Sequence, residues 1–586
     1  MRQWMVAAKK ADFYAIAEKF HVDPVVARII RNREVIGEKN IRFYLGGNLS
    51  DLSDPHQMKD MDRLVEILAQ KIRKQVHIRI IGDYDVDGVT SSHLFLTALR
   101  RVGAKVDVVI PHRIQDGYGL SLHLLQQAKE DGVDTILTCD NGIAAIDEIA
   151  WAKAQKMTVL VTDHHAVPFE EHEGRRTEKK SLADAVVNPH QQDCGYPYKE
   201  LCGAGVAWNV IRVLYENYDM DKREAEDLLD FVAMATVCDV MSLTGENRIL
   251  VKEGLKRIRH TKNIGLQALM QACNVQPENI SAYHFGYVLG PCVNATGRLD
   301  TARHALRLFE TGQETEAEEI ARDLVDLNQE RKELTLQGVE MAKKLCEEGG
   351  YENDPVLVLF LPDVHESIAG LIAGRIREMY NRPVFVLTRG EEGVKGSGRS
   401  TENYSMYENM CGCAELFTKF GGHPMAAGLS LPEENVEKFR RKINENCPLT
   451  VEEVCPDIHI DMAMPVGYAS TELVHQFALL EPFGKDNPSP LFADRNLSIS
   501  RMWVIGKNRN VLRMSVLSEY GQPVPVIFFG DVETLFAYFT EKFGQEEVEN
   551  ALHGRKNRIL FSMVYTAKID FYQGNENLQL EMKYYR

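Results

Sequence analysis

At 586 residues the chain exceeds what one hydrophobic core organises, so three or four domains are expected. With 44% hydrophobic and 26% charged residues it reads as a soluble globular chain, and no apolar run reaches the roughly 18 residues of a membrane span. The formal charge of −17 excludes a protein that coats nucleic acid through a broadly basic surface. It leaves open nucleic acid held in a locally basic cleft, or across bound cations that reverse the sign of a carboxylate cluster.

The start, MRQWMVAAKKADFY, lacks the apolar core of a signal peptide, which points to the cytoplasm with no membrane partner. Eleven cysteines without regular spacing make no disulfide framework and read as reduced thiols. Cys411 and Cys413 form a lone CxC with no second pair, so zinc is set aside there.

Residues 1–75 are expected to be an N-terminal helical region. From 76 to about 190, short β-branched runs (HIRII, KVDVVI, DTILT, TVLVT, ADAVV) alternate with helical segments, the pattern of a doubly wound parallel sheet. Residues 200–300 then read as helices, and together these segments make a catalytic lobe expected over 76–312. Residues 313–348 form a charge-laced linking helix with a stripe at Ile320, Leu324, Leu327, Leu334, Met341 and Leu345. A smaller α/β lobe is expected over 349–446, from PVLVLFLP to FGGHPMAAGLSL. Residues 457–586 alternate apolar and polar positions in short strands, as in a small antiparallel β-barrel with one helix near FGDVETLFAYFTEKF. Trp503 and Phe528 are its candidate stacking residues.

The chemistry concentrates where strands end. In IGDYDVDG, Asp83, Asp85 and Asp87 stand at i, i+2 and i+4 and point one way if the chain is extended, although the same residues make an ordinary acidic turn. TVLVT is followed by Asp163, His164 and His165, Asp140 follows TILTC, and ATVCDV places Asp239 after a helical run. Strand tips of an open α/β sheet share one edge, so these residues converge. An oxygen-rich set with imidazoles suits manganese or magnesium, and two ions sharing a bridging carboxylate serve phosphoester hydrolysis.

In order and approximate spacing, DYDVDG, TCDNG, the DHH triplet and ATVCDV resemble the four motifs of the DHH phosphoesterase superfamily. GSGRS (396–400) and FGGHPMAAG (420–428) resemble its DHH-associated domain. Three further segments, PHRIQDGYGL, VNATGRL and EPFGKDNPSPLF, resemble its exonuclease branch, whose barrel binds oligonucleotides. The resemblance covers nearly the whole chain. It implies metal ligation by Asp85, Asp87, Asp140, His164, His165 and Asp239, with Asp83 and Asp163 as ligands or close by. It also implies that Arg113, Ser397 and Arg399 hold a 5′ phosphate and that Arg298 contacts the phosphate near the scissile bond. In GGHPMAAG, backbone amides and His423 are further candidates for the strand, the alternative for its glycines being tight helix packing.

The implied activity is hydrolysis of single-stranded DNA from its 5′ end, in repair and recombination, with two divalent cations, manganese foremost and magnesium as the alternative. A helicase and a single-strand-binding protein are the implied partners. Two other activities fit the motifs: a phosphodiesterase for short oligoribonucleotides or cyclic dinucleotides, and a catalytically inactive replication scaffold. The first generally lacks a C-terminal barrel, and the second tends to lose metal ligands. Two departures stand out. Many relatives carry a histidine where this chain has Ile81, altering one metal position, and His365 and Ser367 replace a tryptophan and glycine, altering the expected DNA path.

Overall fold

The computed structural model describes residues 3–113, 116, 119–172, 175–299, 301–351, 353–390, 393–454, 457–506, 509–572 and 574–586. The chain divides into two compact units, one of residues 48–456, the other of residues 3–47 and 457–586.

The larger unit opens on five parallel strands, β1 (His77–Ile81), β2 (Lys105–Val109), β3 (Thr135–Cys139), β4 (Thr158–Thr162) and β5 (Ala185–Val187), in the order β2-β1-β3-β4-β5. Alternation along each strand feeds two apolar layers. Ile80, Leu137 and Leu160 enter one cluster, while Ile81, Ile136, Val159 and Val161 enter another on the opposite face. Helices α1 (Val86–Arg101), α2 (Leu122–Glu130) and α3 (Ile146–Ala154) are the crossovers. After β5 come α4 (Gly203–Asn217), α5 (Leu229–Cys238) and α6 (Gly290–Leu299).

Helix α7 (Glu314–Glu348) is the linking helix. Its N-terminal half gives Ala317, Ile320, Ala321 and Leu324 to the first lobe's core, and its C-terminal half gives Val339, Ala342 and Cys346 to the second. The expected stripe continues into the second half, where Leu334 and Leu345 pack partly buried against the second core; Met341 leaves it, being exposed. The second lobe comprises β6 (Leu357–Phe360), α8 (Ala369–Tyr380), β7 (Val384–Gly390), β8 (Gly393–Arg399), β9 (Lys419–His423) and β10 (Ala426–Leu431). Its sheet runs β9-β10-β8-β7-β6, parallel only between β6 and β7. FGGHPMAAG is thus a β-hairpin rather than a helix-packing segment, and His423 sits exposed near its tip.

In the other unit, β11 (Phe492–Ile505), β12 (Val511–Leu517), β13 (Pro523–Phe529), β14 (Leu560–Tyr572) and β15 (Asn575–Tyr585) close into a barrel through a β11–β14 pairing. It is not wholly antiparallel, since β13 and β15 run parallel, and two helices (Val532–Phe543, Gln545–Leu552) stand where one was expected. Phe528 is buried in the core, which removes it as a stacking residue; Trp503 is partly exposed beside Arg501. The expected boundary at residue 75 is also corrected. Helices Phe13–Phe20, Pro24–Asn32 and Glu38–Gly46 bury Val26, Ile30 and Ile41 in the barrel's core. Strand Trp4–Val6 pairs with Ile458–Ile460, and Arg33 forks onto Asp461 at 2.8 and 3.2 Å.

Candidate metal centre

The site is built at the C-terminal edge of the parallel sheet and at the ends of three helices. Asp83 lies in the turn after β1, Asp85 caps α1, and Asp87 lies in that helix's first turn. The three carboxylates converge through a strand-to-helix turn, not through extended alternation. Gly88 makes this turn possible, because a Cβ there would stand 2.4 Å from the Asp83 carbonyl oxygen. Asp140 follows β3 in the left-handed region at φ 60°, a strained conformation typical of functional turns. His164 and His165 follow β4, and Asp239 caps the C-terminus of α5.

Three groups of donor atoms, each within 4.8 Å of one another, result: Asp83, Asp85 and Asp140; Asp87, His164 and Asp239; Asp140, His164 and His165. His164 Nε2 is 3.1 Å from Asp140 Oδ1, 3.6 Å from Asp239 Oδ2 and 3.7 Å from Asp87 Oδ2. Burial, then the neighbouring carboxylates, push Asp83, Asp85 and Asp140 above the usual carboxylate range. Burial pushes His164 down, which favours the neutral, ligating imidazole. Asp83 Oδ1 and His164 Nε2 are buried without a hydrogen-bond partner among the described residues. An oxygen-rich donor set with such atoms fits hard divalent cations.

Asp163 has a different task. Its carboxylate accepts from the amides of Ile143, His164 and His165 at 2.7–3.1 Å and from His165 Nδ1 at 2.8 Å. Burial alone would raise its pKa, but the His165 hydrogen bond and charge hold it below the ordinary value. At His165 burial is the largest influence and lowers it, but the same bond and the charges of Asp163, Asp239 and Asp87 together outweigh burial and raise it to about 9. Asp163 therefore orients the histidine pair, and it joins none of the three donor groups.

The sequence reading missed the contribution of CGAG. The first amides of α4 donate to Asp87, Gly203 N to Oδ2 at 2.6 Å and Ala204 N to Oδ1 at 2.7 Å, a helix N-terminus holding a carboxylate. Gly203 also lies against Asp140, where a Cβ would stand 2.6 Å from the Asp140 Cβ. Asn294 was missed as well; its Oδ1 accepts from Val86 N at 3.2 Å and ties α6 to the carboxylate turn. Ile81 lies in the apolar cluster with Leu120 and Leu124, and the donor groups assemble without it.

A cleft of about 540 Å³ adjoins the carboxylate turn, lined among others by Tyr84, Arg113, Ser367, Lys395, Ser397 and Lys419. Arg113 stacks 4.9 Å from the Tyr84 ring. Arg399 Nη1 reaches Ser397 Oγ at 3.4 Å, and Gly370 of α8 leaves room for the pair. Arg298 donates to Ser367 O at 2.5 Å. Burial, then repulsion by Arg113, Arg331 and Arg399, lowers Arg298 to about 9; burial, Arg377 and Arg113 likewise lower Arg399. Among the described residues none of Arg113, Arg298 and Arg399 has a carboxylate in ion-pair range, which is the electrostatic signature of an anion site. His365 accepts from Ser367 and caps the turn into α8, so the departure at 365–367 serves a cap and the Arg298 clasp. His423 is not among the residues lining this cleft.

A parallel sheet with aspartates at three strand tips and a DHH triplet among them defines a DHH-type protein, and the model of the DHH family, N-terminal domain, matches residues 77–236. The DHHA1 domain matches 353–447 and the RecJ OB domain 460–584. The chain is 32% identical to the single-stranded-DNA-specific exonuclease RecJ of Haemophilus influenzae over 96% of both chains. It is 33% identical to that of Bacillus subtilis over 87% of this chain and 63% of that protein, so the match spans less than two thirds of the Bacillus protein's length. The crystal structure of RecJ from Thermus thermophilus in complex with Mn2+ superposes with a TM-score of 0.81 at 25% identity, covering 100% of this chain and 79% of that one. The chain belongs to the RecJ family.

Proposed function

We propose that the protein is a metal-dependent exonuclease that removes nucleotides from the 5′ end of single-stranded DNA. The observation that carries this is the juxtaposition of the carboxylate–imidazole cluster with a cleft lined by Arg113, Lys395, Ser397 and Lys419, with Arg298 and Arg399 close enough to Arg113 to feel its charge and, among the described residues, no carboxylate in ion-pair range of the three arginines, in a chain aligned end to end with a single-strand-specific exonuclease. Asp83, Asp85, Asp87, Asp140, His164, His165 and Asp239 would hold two divalent cations, manganese or magnesium. Such ions lower the pKa of a water and neutralise the phosphate it attacks.

The protein's own groups then do the rest. Arg113, Ser397 and Arg399 anchor a terminal phosphate, so that only the linkage beside it reaches the carboxylate cluster. Arg298, clasped by Ser367, orients the next phosphate. Asp163 keeps a proton on His165 Nδ1. The RecJ OB match over 460–584 disfavours the oligoribonucleotide and cyclic-dinucleotide reading, and the assembled donors disfavour the inactive scaffold.

Single strands must be supplied from duplex DNA, which supports a helicase and a single-strand-binding protein as partners. Among the described residues no helix is long and apolar enough to cross a membrane, and the ten described cysteines are free thiols, as a cytoplasmic setting requires. Asp85→Ala and His164→Ala test the site. Each should lower manganese-dependent hydrolysis by about 10³-fold or more with folding intact. Near-full activity of Asp85→Ala at saturating manganese would refute the assignment.

A further inference from the structure

We propose that Cys273 and Cys292 close to a reversible disulfide, and that closing it shifts the helix that carries Arg298. Cys273 ends the helix Ile264–Ala272 and is partly exposed, whereas Cys292 is buried in α6. Their sulfurs are 3.7 Å apart. A disulfide requires about 2.05 Å, so the gap must close from both sides, by rotation of Cys273 at its helix end and by movement of Cys292 in α6. Asn274, next in the chain, is in the left-handed region at φ 55°, so the helix ends at Cys273, whose own N–H still donates to Leu269 O at 3.0 Å.

The two thiols differ in reactivity. Contact with the Cys292 sulfur, together with the charge of Lys332, holds Cys273 below the ordinary thiol range despite partial burial. Being also the more exposed of the two, it is the thiol that a small disulfide reaches first. With a small disulfide such as oxidised glutathione, the Cys273 sulfur attacks one glutathione sulfur, and the other leaves as glutathione thiolate. Cys292 then loses its proton and attacks the Cys273 sulfur, expelling the second glutathione. Two electrons pass from the protein dithiol to the small disulfide, and the two thiol protons end on the two glutathiones.

The consequence follows from what α6 holds. Three residues of this helix matter. Cys292 Sγ accepts from Asn328 Nδ2 at 3.3 Å, Asn294 holds the Val86 amide beside the carboxylate turn, and Arg298 is clasped to Ser367. Asn328 in turn accepts from Arg331, whose charge acts on Arg298. Drawing Cys292 toward Cys273 pulls on each of these contacts.

The test uses the full reduced chain incubated with oxidised glutathione, quenched with acid, alkylated and mapped by mass spectrometry. The expected product has lost two hydrogens, carries linked Cys273 and Cys292 peptides, and reverts with dithiothreitol. Cys292→Ser should stop at a glutathione adduct on Cys273, and Cys273→Ser should give neither product. Wild-type chain that stalls as the adduct, or that keeps both thiols alkylatable, overturns the disulfide without recourse to a variant. Manganese-dependent digestion of single strands, a readout that rests on the proposed function, should slow by about fivefold or more in the oxidised chain and not in oxidant-treated Cys273→Ser. A quantitative disulfide with unchanged digestion overturns the coupling to α6. If reduced chain shows no digestion at all, the proposed function fails, while the mass result still decides the disulfide.

Discussion

Gly203→Ala is the sharpest perturbation of the metal centre that leaves every donor in place. The added Cβ would stand 2.6 Å from the Asp140 Cβ and 2.9 Å from Asp140 Oδ1. Asp140 has little freedom to yield. The next residue, Asn141, is fixed by hydrogen bonds from its Nδ2 to Ile81 O at 3.0 Å and Cys139 O at 2.9 Å, and its carbonyl accepts from Thr138 at 2.8 Å. The start of α4 must move instead, which stretches the two amide bonds to Asp87. Overpacking costs about 1–3 kcal/mol, and stretching bonds to a charged group, each worth about 1.5–3 kcal/mol when intact, costs about 1 kcal/mol more, so a combined loss of roughly 2–4 kcal/mol is expected. That corresponds to about 30- to 1,000-fold weaker manganese binding, read by calorimetric titration with circular dichroism as the folding control. Gly205→Ala is the internal control. Its Cβ would make ordinary contacts at 3.4 Å with Leu201, and alanine favours the helix, so affinity should change by no more than about twofold. Parental manganese affinity in Gly203→Ala would refute the reasoning.

Two further outcomes follow from the electrostatics. Arg399→Ala should erase most of the preference for a 5′-phosphorylated over a 5′-hydroxyl strand, an effect of about tenfold or more from one charge-assisted contact, while manganese binding is unchanged; equal slowing on both substrates would contradict end anchoring. Burial raises Asp230 to about 6 from 3.8, so the native state binds its proton more tightly than the unfolded chain. Its charge therefore costs nothing below about pH 4, progressively more between pH 4 and 6, and about 3 kcal/mol above that window. Asp230→Asn should gain stability over the parent at pH 8 and lose that gain at pH 4, measured by urea denaturation. The same difference at both pH values would show that Asp230 is not buried as a raised acid.

Much of the site was legible because its signals are local. Each donor follows a β-branched run or a helix end, and the open parallel sheet brings such ends to one edge. What the sequence concealed depends on contacts between distant segments. Nothing near Gly203 announces that its amide will meet Asp87, and nothing near Trp4 announces pairing with Ile458. The N-terminal helices read as a separate region because their apolar faces are ordinary; only the assembled barrel shows what covers them. The resemblance leaves Asp163 open between ligand and close neighbour, because only its four short hydrogen bonds, made to segments on both sides, place it behind His165. FGGHPMAAG leaves a turn and a helix-packing segment both open, because small residues serve helix packing and tight hairpins alike.

The central claim is that a strand's 5′ end is fixed across the guanidinium cleft while the adjacent linkage meets the carboxylate–imidazole cluster. Digestion of one oligonucleotide, labelled in parallel at its 5′ and 3′ ends, with manganese present, tests it directly. The account predicts that the 5′ label is released first as mononucleotide while the 3′ label persists on a shortening strand. Release of the 3′ label first, or internal fragments from both substrates, would contradict it.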